Sequence, residues 1–241
     1  MILKDISLDS PEDNILLDEA LFVAADKGSG GEILRFWESP TVFVVLGRIG
    51  REDDDIDKAA VKKDKIPVLR RTSGGGTVVQ GPGCLNYSFI LSKDTDPALA
   101  DLRRSYQWIS AKIIAGLKIA GVDAVFRPIS DIALSSSEKK FSGNAQRRGK
   151  NFILHHGTVL YNFNLSLIPR YLKMPKDIPE YRRNRPHDNF VVNIPIDPVV
   201  FKRSLANIFD IKIENSSLEA SQEVLLRSIR SKSDILLRTY L

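Results

Sequence analysis

The stretch PVLRRTSGGGTVVQGPGCLNYSFIL, residues 67–91, decides how the chain is read. It opens as an apolar strand at 67–70, breaks at Gly74-Gly75-Gly76, and resumes as a strand at 86–91. Consecutive glycines let backbone pass close to a ligand and take positive φ, so their N–H groups can face an anion. Arg70 and Arg71, just ahead of them, add fixed charge and fork-shaped donors suited to phosphate or carboxylate. The loop has neither the Gly-Lys-Ser/Thr ending of a P-loop nor the spacing of a dinucleotide fingerprint. From the residues alone two readings stand: a tight turn at a strand end, or a nucleotide or acyl-phosphate site.

Working outward, residues 11–23 read as a helix capped by Ser10, with Pro11 and two acids in its first turn, ended by the glycines at 28–31. Residues 33–37 and 41–46 are β-branched and aromatic, separated by Ser39-Pro40, and predict a hairpin or two neighbouring strands. Residues 53–63 predict one short polar helix. Downstream, Leu102, Tyr106, Ile109, Ile113, Leu117 and Ala120 recur at helical spacing before Gly121. Short strands are expected at 122–126 and 131–134, and a strand pair at 141–146 and 152–161 around a basic turn at 147–149. A short helix at 166–172, an irregular loop at 173–196 and helices at 198–209 and 217–239 complete the chain. Strand-rich blocks with interspersed helices and no regular βαβ alternation predict an α+β fold. The expected organisation is a core domain over 1–196 with a helical extension, 197–241, packed on it.

Composition narrows the function classes. A chain of 241 residues buries enough surface to fold without staples. The apolar run at 42–46 falls far short of the ~20 residues a bilayer helix needs, and acids occupy the start where a secretion signal would be apolar. The expected address is therefore cytoplasmic, with no membrane partner. One cysteine, Cys84, excludes an internal disulfide and a cysteine-rich zinc site. A net charge of +5 favours acidic or phosphate-bearing partners. No zinc finger, RNP stretch or leucine zipper accompanies the basic clusters at 139–140, 147–150 and 182–185, so nucleic acid is not the expected partner.

A second constellation follows the long helix. Asp131 sits among Ile129, Ile132, Ala133 and Leu134, and a carboxylate there needs a cation, either a lysine or a metal ion. Lys140 precedes Phe141-Ser142-Gly143, and His155-His156-Gly157-Thr158 lies on the next strand. Neighbours on a strand point to opposite faces, so one histidine at most serves a given pocket and a two-histidine metal site is not expected.

Taken together, RRTSGGGTVVQGPGCLNYSFIL, SDIAL and KKFSGNAQRRGKNFILHHGTVLYNFNL, in that order and preceded by LGR at 46–48, resemble the lipoate–protein ligase A group of the biotin/lipoate ligase superfamily. The resemblance covers residues 12–190. It implies an α+β catalytic domain built on a mixed sheet with flanking helices, related to biotin ligases and class II synthetase-like cores. The implied reaction activates lipoate with ATP to lipoyl-AMP and pyrophosphate, then passes the acyl group to one lysine of an acceptor. The acceptor would be a lipoyl domain of a 2-oxoacid dehydrogenase E2 or a glycine cleavage H protein.

Carried onto matching positions, the resemblance implies that Arg71, Ser73, Gly74, Gly75, Gly76, Thr77, Val78, Val79, Ser142, Gly143, His156 and Gly157 line the ATP or lipoyl-AMP. Lys140 would be catalytic, bridging the lipoyl carbonyl and the α-phosphate, and Asp131 would lie near Mg2+. An apolar slot for the acyl chain would draw on residues such as Val78, Phe89 and Leu91. The chain departs from the family pattern at Gln80, Gly81, Cys84 and Ser130. The alternatives are an octanoyl or lipoyl transferase working through a cysteine thioester or pre-made lipoyl-AMP, and a non-catalytic lipoyl-adenylate binder. A thioester needs an activated thiol, and the segment 122–131, where related transferases carry theirs, has none. The family's further C-terminal domain has no counterpart in the sequence, so either the compact core runs both steps or a separate accessory protein takes part. Arg182, Arg183 and Arg185 are the expected docking or closing residues.

Overall fold

The computed structural model describes residues 1–211 and the isolated positions 223, 226 and 227. Apart from those three positions, the helix expected at 217–239 lies outside the described residues. In chain order the strands are β1 (Ile2–Asp5), β2 (Ile33–Trp37), β3 (Phe43–Leu46), β4 (Val68–Arg70), β5 (Val78–Gln80), β6 (Cys84–Ser92), β7 (Ala124–Arg127), β8 (Asp131–Leu134), β9 (Lys140–Arg148) and β10 (Phe152–Leu160). The helices are α1 (Pro11–Asp26), α2 (Glu52–Asp55), α3 (Lys58–Lys63), α4 (Leu102–Ile119), α5 (Leu167–Tyr171), α6 (His187–Phe190) and α7 (Pro198–Ile208). None is long and apolar enough to cross a membrane among the described residues.

A seven-stranded sheet runs β1-β2-β6-β10-β9-β8-β7 and a three-stranded sheet runs β4-β3-β5. In the large sheet β1 and β2 are parallel and the other neighbours antiparallel; in the small one β3 is parallel to β4 and antiparallel to β5. The expected α+β fold with a mixed sheet and flanking helices is what the chain adopts. Two local expectations are corrected. Strands β2 and β3 do not pair but belong to different sheets, the chain turning between them at Ser39-Pro40. The single helix expected at 53–63 is two, because Ile56 is extended (φ −124°, ψ 152°) and bridges to Leu172.

Alternation sorts the large sheet into two faces. Leu85, Tyr87, Phe89 and Leu91 of β6 pack with Ile109, Ile113 and Leu117 of α4 and Phe201 and Leu205 of α7. Phe89 and Leu91 are therefore core residues on this face, not members of an acyl slot beside the glycine loop. On the other face, Ile90 and Leu154 meet Leu17, Leu21 and Phe22 of α1, while Trp37 packs against Phe43, Val45 and Leu69 of the small sheet. Ser10 caps α1 by accepting from the Asp13 amide, as the sequence leads one to expect.

The α1 face also holds a buried polar knot. Fully buried Arg35 donates to Asp18 (2.7 Å), to the Asn14 side chain (2.7 Å) and to the Asn14 carbonyl (2.8 Å). The other Asp18 oxygen takes the Trp37 indole N–H and the Ser88 hydroxyl. A buried ion pair satisfied at every position fixes the helix against the sheet more than it adds net stability.

Candidate functional site

The glycine loop, residues 71–77, lies on this second face and touches α1 at Glu19. Arg71 runs beneath it. Its guanidinium donates to the carbonyls of Gly74 and Gly76, each at 2.7 Å, and to Ser73 Oγ at 3.1 Å. In a trans peptide the carbonyl of one residue and the N–H of the next point oppositely. Pulling the Gly74 and Gly76 carbonyls inward thus turns the amides of Gly75 and Thr77 outward. Those amides have no partner among the described residues, and Gly75 and Gly76 are exposed. Gly75 has φ +84°, and a Cβ there would stand 2.9 Å from Arg71 Nη2, so glycine is required. Burial lowers the Arg71 pKa to about 10, which leaves it cationic at working pH. The result is an anion cradle of outward amides over a buried positive charge.

Both ends of the loop are pinned. Thr72 donates to Glu19 of α1, and Glu19 also pairs with Arg147 of β9. Ser73 Oγ lies 2.6 Å from His156 Nε2 of β10. At the exit, Thr77 Oγ1 donates to Asp55 at 2.6 Å. Burial, and then the Arg71 charge, pull the His156 pKa down to about 3, so the ring is a neutral strut.

Lys140 reaches the same face through an irregularity in β9. The β8–β9 register shifts between Ile132 and Ala133, so Phe141 enters the α4-side core and Ser142 also turns there, toward Tyr87. Lys140 is thrown to the opposite side, where its Nζ lies over Gly143; a Cβ at Gly143 would sit 3.0 Å from it. Asp131, directly across from Gly143, pairs with Lys140 Nζ at 2.7 Å. Of the two cations the sequence allowed for Asp131, the structure supplies the lysine. The carboxylate's second oxygen accepts from Tyr181 Oη at 2.6 Å.

The next residue on this face of β9 is Ala145, whose Cβ would be 3.4 Å from one built on Gly75. Two residues along a strand span about 7 Å. The Lys140 ammonium and the glycine-loop tip therefore overlie successive positions on one face of β9.

The structure brings together Arg71, Ser73, Gly74, Gly75, Gly76, Thr77, Gly143, His156, Asp131 and Lys140. It separates others. Ser142 and Gly157 face the α4 side, where a Cβ at Gly157 would meet Asn144 Oδ1 at 2.2 Å and Tyr87 Oη at 2.5 Å. Val79 joins the core behind the small sheet, whereas Val78 lies against the Trp37 cluster. Gln80 donates to Thr158 at 2.7 Å. His155 is fully buried among Gln146, Asn144 and Phe89, so the two histidines do part to opposite faces. Glu19 and Tyr181 went unnoticed in the sequence, where nothing but a charge or a hydroxyl distinguishes them, and Arg147 was read only as part of a basic turn. Cys84 is buried, its pKa pushed far up by burial, and it packs behind the small sheet with Phe163 and Tyr171.

Against this geometry the comparisons are consistent. Residues 10–196 match the lipoyl protein ligase A/B catalytic domain family. A probable lipoate-protein ligase A of Mycoplasma pneumoniae is 31% identical over 178 residues, 72% of this chain and 50% of the relative. The octanoyltransferase LipM of Oceanobacillus iheyensis is 29% identical over 195 residues, 73% of this chain and 70% of the relative. The chain thus spans about half the length of the Mycoplasma relative. Among solved structures, a bi-partite lipoate protein ligase described with its E2 lipoyl domain, from Thermoplasma acidophilum, superposes with TM-score 0.80 at 24% identity, covering 96% of this chain and 92% of the other. A lipoate-protein ligase A bound with ATP gives TM-score 0.81 at 22% identity, covering 96% and 94%. At those identities the likeness establishes the fold.

Proposed function

The chain belongs to the lipoyl protein ligase A/B catalytic-domain family, and on that premise we propose that it is an ATP-dependent lipoate–protein ligase. The observation that carries the reading is the placement of the Lys140 ammonium beside the outward amides of the glycine loop on one strand face. Joining a carboxylate to a phosphate brings two anions together, and a cation between them lowers the barrier where negative charge develops. A lipoate carboxylate oxygen would attack the α-phosphorus of ATP as the bond to the bridging oxygen breaks and pyrophosphate leaves. Lys140 would hold the carboxyl and phosphoryl oxygens together, and the Gly75 and Thr77 amides would hold phosphate oxygens. The acceptor lysine amine then attacks the acyl carbon, AMP departs, and the amine loses its proton to solvent.

The residues fit a nucleotide-borne Mg2+ but not a metal held by the protein alone. Among the described residues no three His, Cys, Asp or Glu side chains gather, so Asp131 would supply one carboxylate and phosphates the rest. When bound, the ion neutralises pyrophosphate charge.

The relatives named octanoyltransferases raise the thioester route, and Cys84 weighs against it. It is the only cysteine in the chain, and its buried, acid-suppressed thiol is neither nucleophilic nor open to an acyl donor. The neighbours' descriptions support lipoate, ATP and an E2 lipoyl domain as substrates and acceptor, and the family resemblance adds a glycine cleavage H protein as an alternative acceptor. The test incubates the chain with ATP, lipoate and a lipoyl domain and reads the mass gain on its lysine. Gain with ATP and none without supports ligation. Modification from octanoyl carrier protein without ATP, with acyl thioester trapped on Cys84, would establish the transferase instead.

A further inference from the structure

The segment 173–196, which the sequence reads as an irregular loop, forms over its first part, 173–192, a built strap over the Lys140 end of the site. Arg182 is buried, stacks 4.6 Å from the Phe190 ring and donates to the Arg185 carbonyl at 2.9 Å. Arg185 stacks on the same ring at 5.2 Å and donates to the carbonyls of Tyr181 (2.9 Å) and Glu138 (3.1 Å). Arg183 reaches the Glu138 carboxylate at 3.4 Å, and the Val192 amide donates to the Lys140 carbonyl at 2.9 Å. Tyr181 packs 5.3 Å from Phe190 and lands its hydroxyl on Asp131. The strap is thus tied to the backbone of Lys140 and, through Asp131, to its side chain.

We propose that Tyr181 is a positioning residue: its hydroxyl fixes the Asp131 carboxylate so that the opposite oxygen holds the Lys140 ammonium over Gly143, facing the glycine loop. A carboxylate bound at one oxygen only can swing about its χ angles, and a lysine on a four-carbon stem follows it. Bound at both, it has one orientation. The inference rests on the adenylate-forming reading for its kinetic consequence, but not for the geometry itself.

Two experiments separate these. In the first, Tyr181→Phe, Asp131→Asn and the double variant are assayed by single-turnover transfer from pre-made lipoyl-AMP and by lipoate-dependent ATP–pyrophosphate exchange. Tyr181→Phe lowers kcat about tenfold with little change in KM, and the double variant is no slower than Asp131→Asn alone, because the hydroxyl acts only through the carboxylate. Multiplicative losses would assign Tyr181 to holding the strap and overturn the proposal. In the second, the folded proteins are labelled briefly with an acetylating N-hydroxysuccinimide ester and Lys140 acetylation is counted by mass spectrometry. Lys140 is 29% exposed in its side chain, enough for the reagent to reach it. Its labelling is several-fold faster in Tyr181→Phe and in Asp131→Asn than in the parent, while other lysines are unchanged. Equal Lys140 labelling in parent and Tyr181→Phe refutes the positioning role even in a protein without ligase activity. Absence of both exchange and transfer in the parent refutes the ligase reading alone.

Discussion

At the scale of single residues, the proposed function separates groups that would touch a phosphate from groups that would aim them. Lys140 would be of the first kind. Lys140→Ala is expected to lower lipoate-dependent ATP–pyrophosphate exchange by about 10²–10³, the usual loss when one charge-stabilising donor is removed, with an unchanged melting curve; near-normal exchange would remove Lys140 from the chemistry. Arg71 is of the second kind. The sequence resemblance lines it up with the adenylate, yet its donors are committed to the carbonyls of Gly74 and Gly76. Its influence on a phosphate passes through the Gly75 and Thr77 amides. Arg71→Lys keeps a charge but loses the fork that grips two carbonyls, so it should raise the KM for ATP about tenfold or more while the KM for lipoate changes little. Equal rises in both would place the guanidinium at the acyl end instead. The glycines were legible because their chemistry is local. Whether an arginine beside them faces the ligand or its own loop depends on which carbonyls lie beneath, and sequence holds no record of that.

Elements repeat the pattern. The hairpin of β9 and β10 was readable from its apolar runs and basic turn, and so was the parting of His155 from His156. The face of Lys140 was not. Strict alternation would place Lys140 with Ser142 and opposite Gly143; the register shift at Ile132/Ala133 reverses this by giving β9 one extra residue, Phe141, against β8. Likewise β2 and β3 are each wholly buried, so neither shows the alternation that would have revealed separate sheets. Strand β10 also sets an acid limit. Burial lowers the His155 pKa from 6.5 to about 3, so the folded state keeps the ring neutral while the unfolded chain protonates it below 6.5. The contribution is complete above that pH and is lost as pH falls toward 3, by up to about 1.4 kcal/mol per unit for this ring. The urea midpoint should fall steeply from pH 6.5 to 4.5. His155→Gln, which can still bond Gln146 and Asn144, should flatten that fall; an unaltered slope would show that other groups set it.

For the whole molecule, the question is whether one chain can hold both reactions. The site draws its groups from α1, the glycine loop, β8, β9, β10 and the strap, all between Glu19 and Val192. Those elements are coupled by short contacts rather than by a mobile neighbour: Thr72 to Glu19, Ser73 to His156, Thr77 to Asp55, Tyr181 to Asp131. Adenylation needs a cation between two anions and donors for the phosphate, which Lys140 and the loop amides would supply on the proposed reading. The 241-residue chain is therefore expected to modify a lipoyl domain both from lipoate plus ATP and from pre-made lipoyl-AMP, the second without any ATP requirement. The measurement is the mass gain on the acceptor lysine in each case, with the chain as sole enzyme. Transfer from lipoyl-AMP without transfer from lipoate plus ATP would mean that the first step waits on a second polypeptide. The cradle would then be complete as a holder of the adenylate and incomplete as its maker.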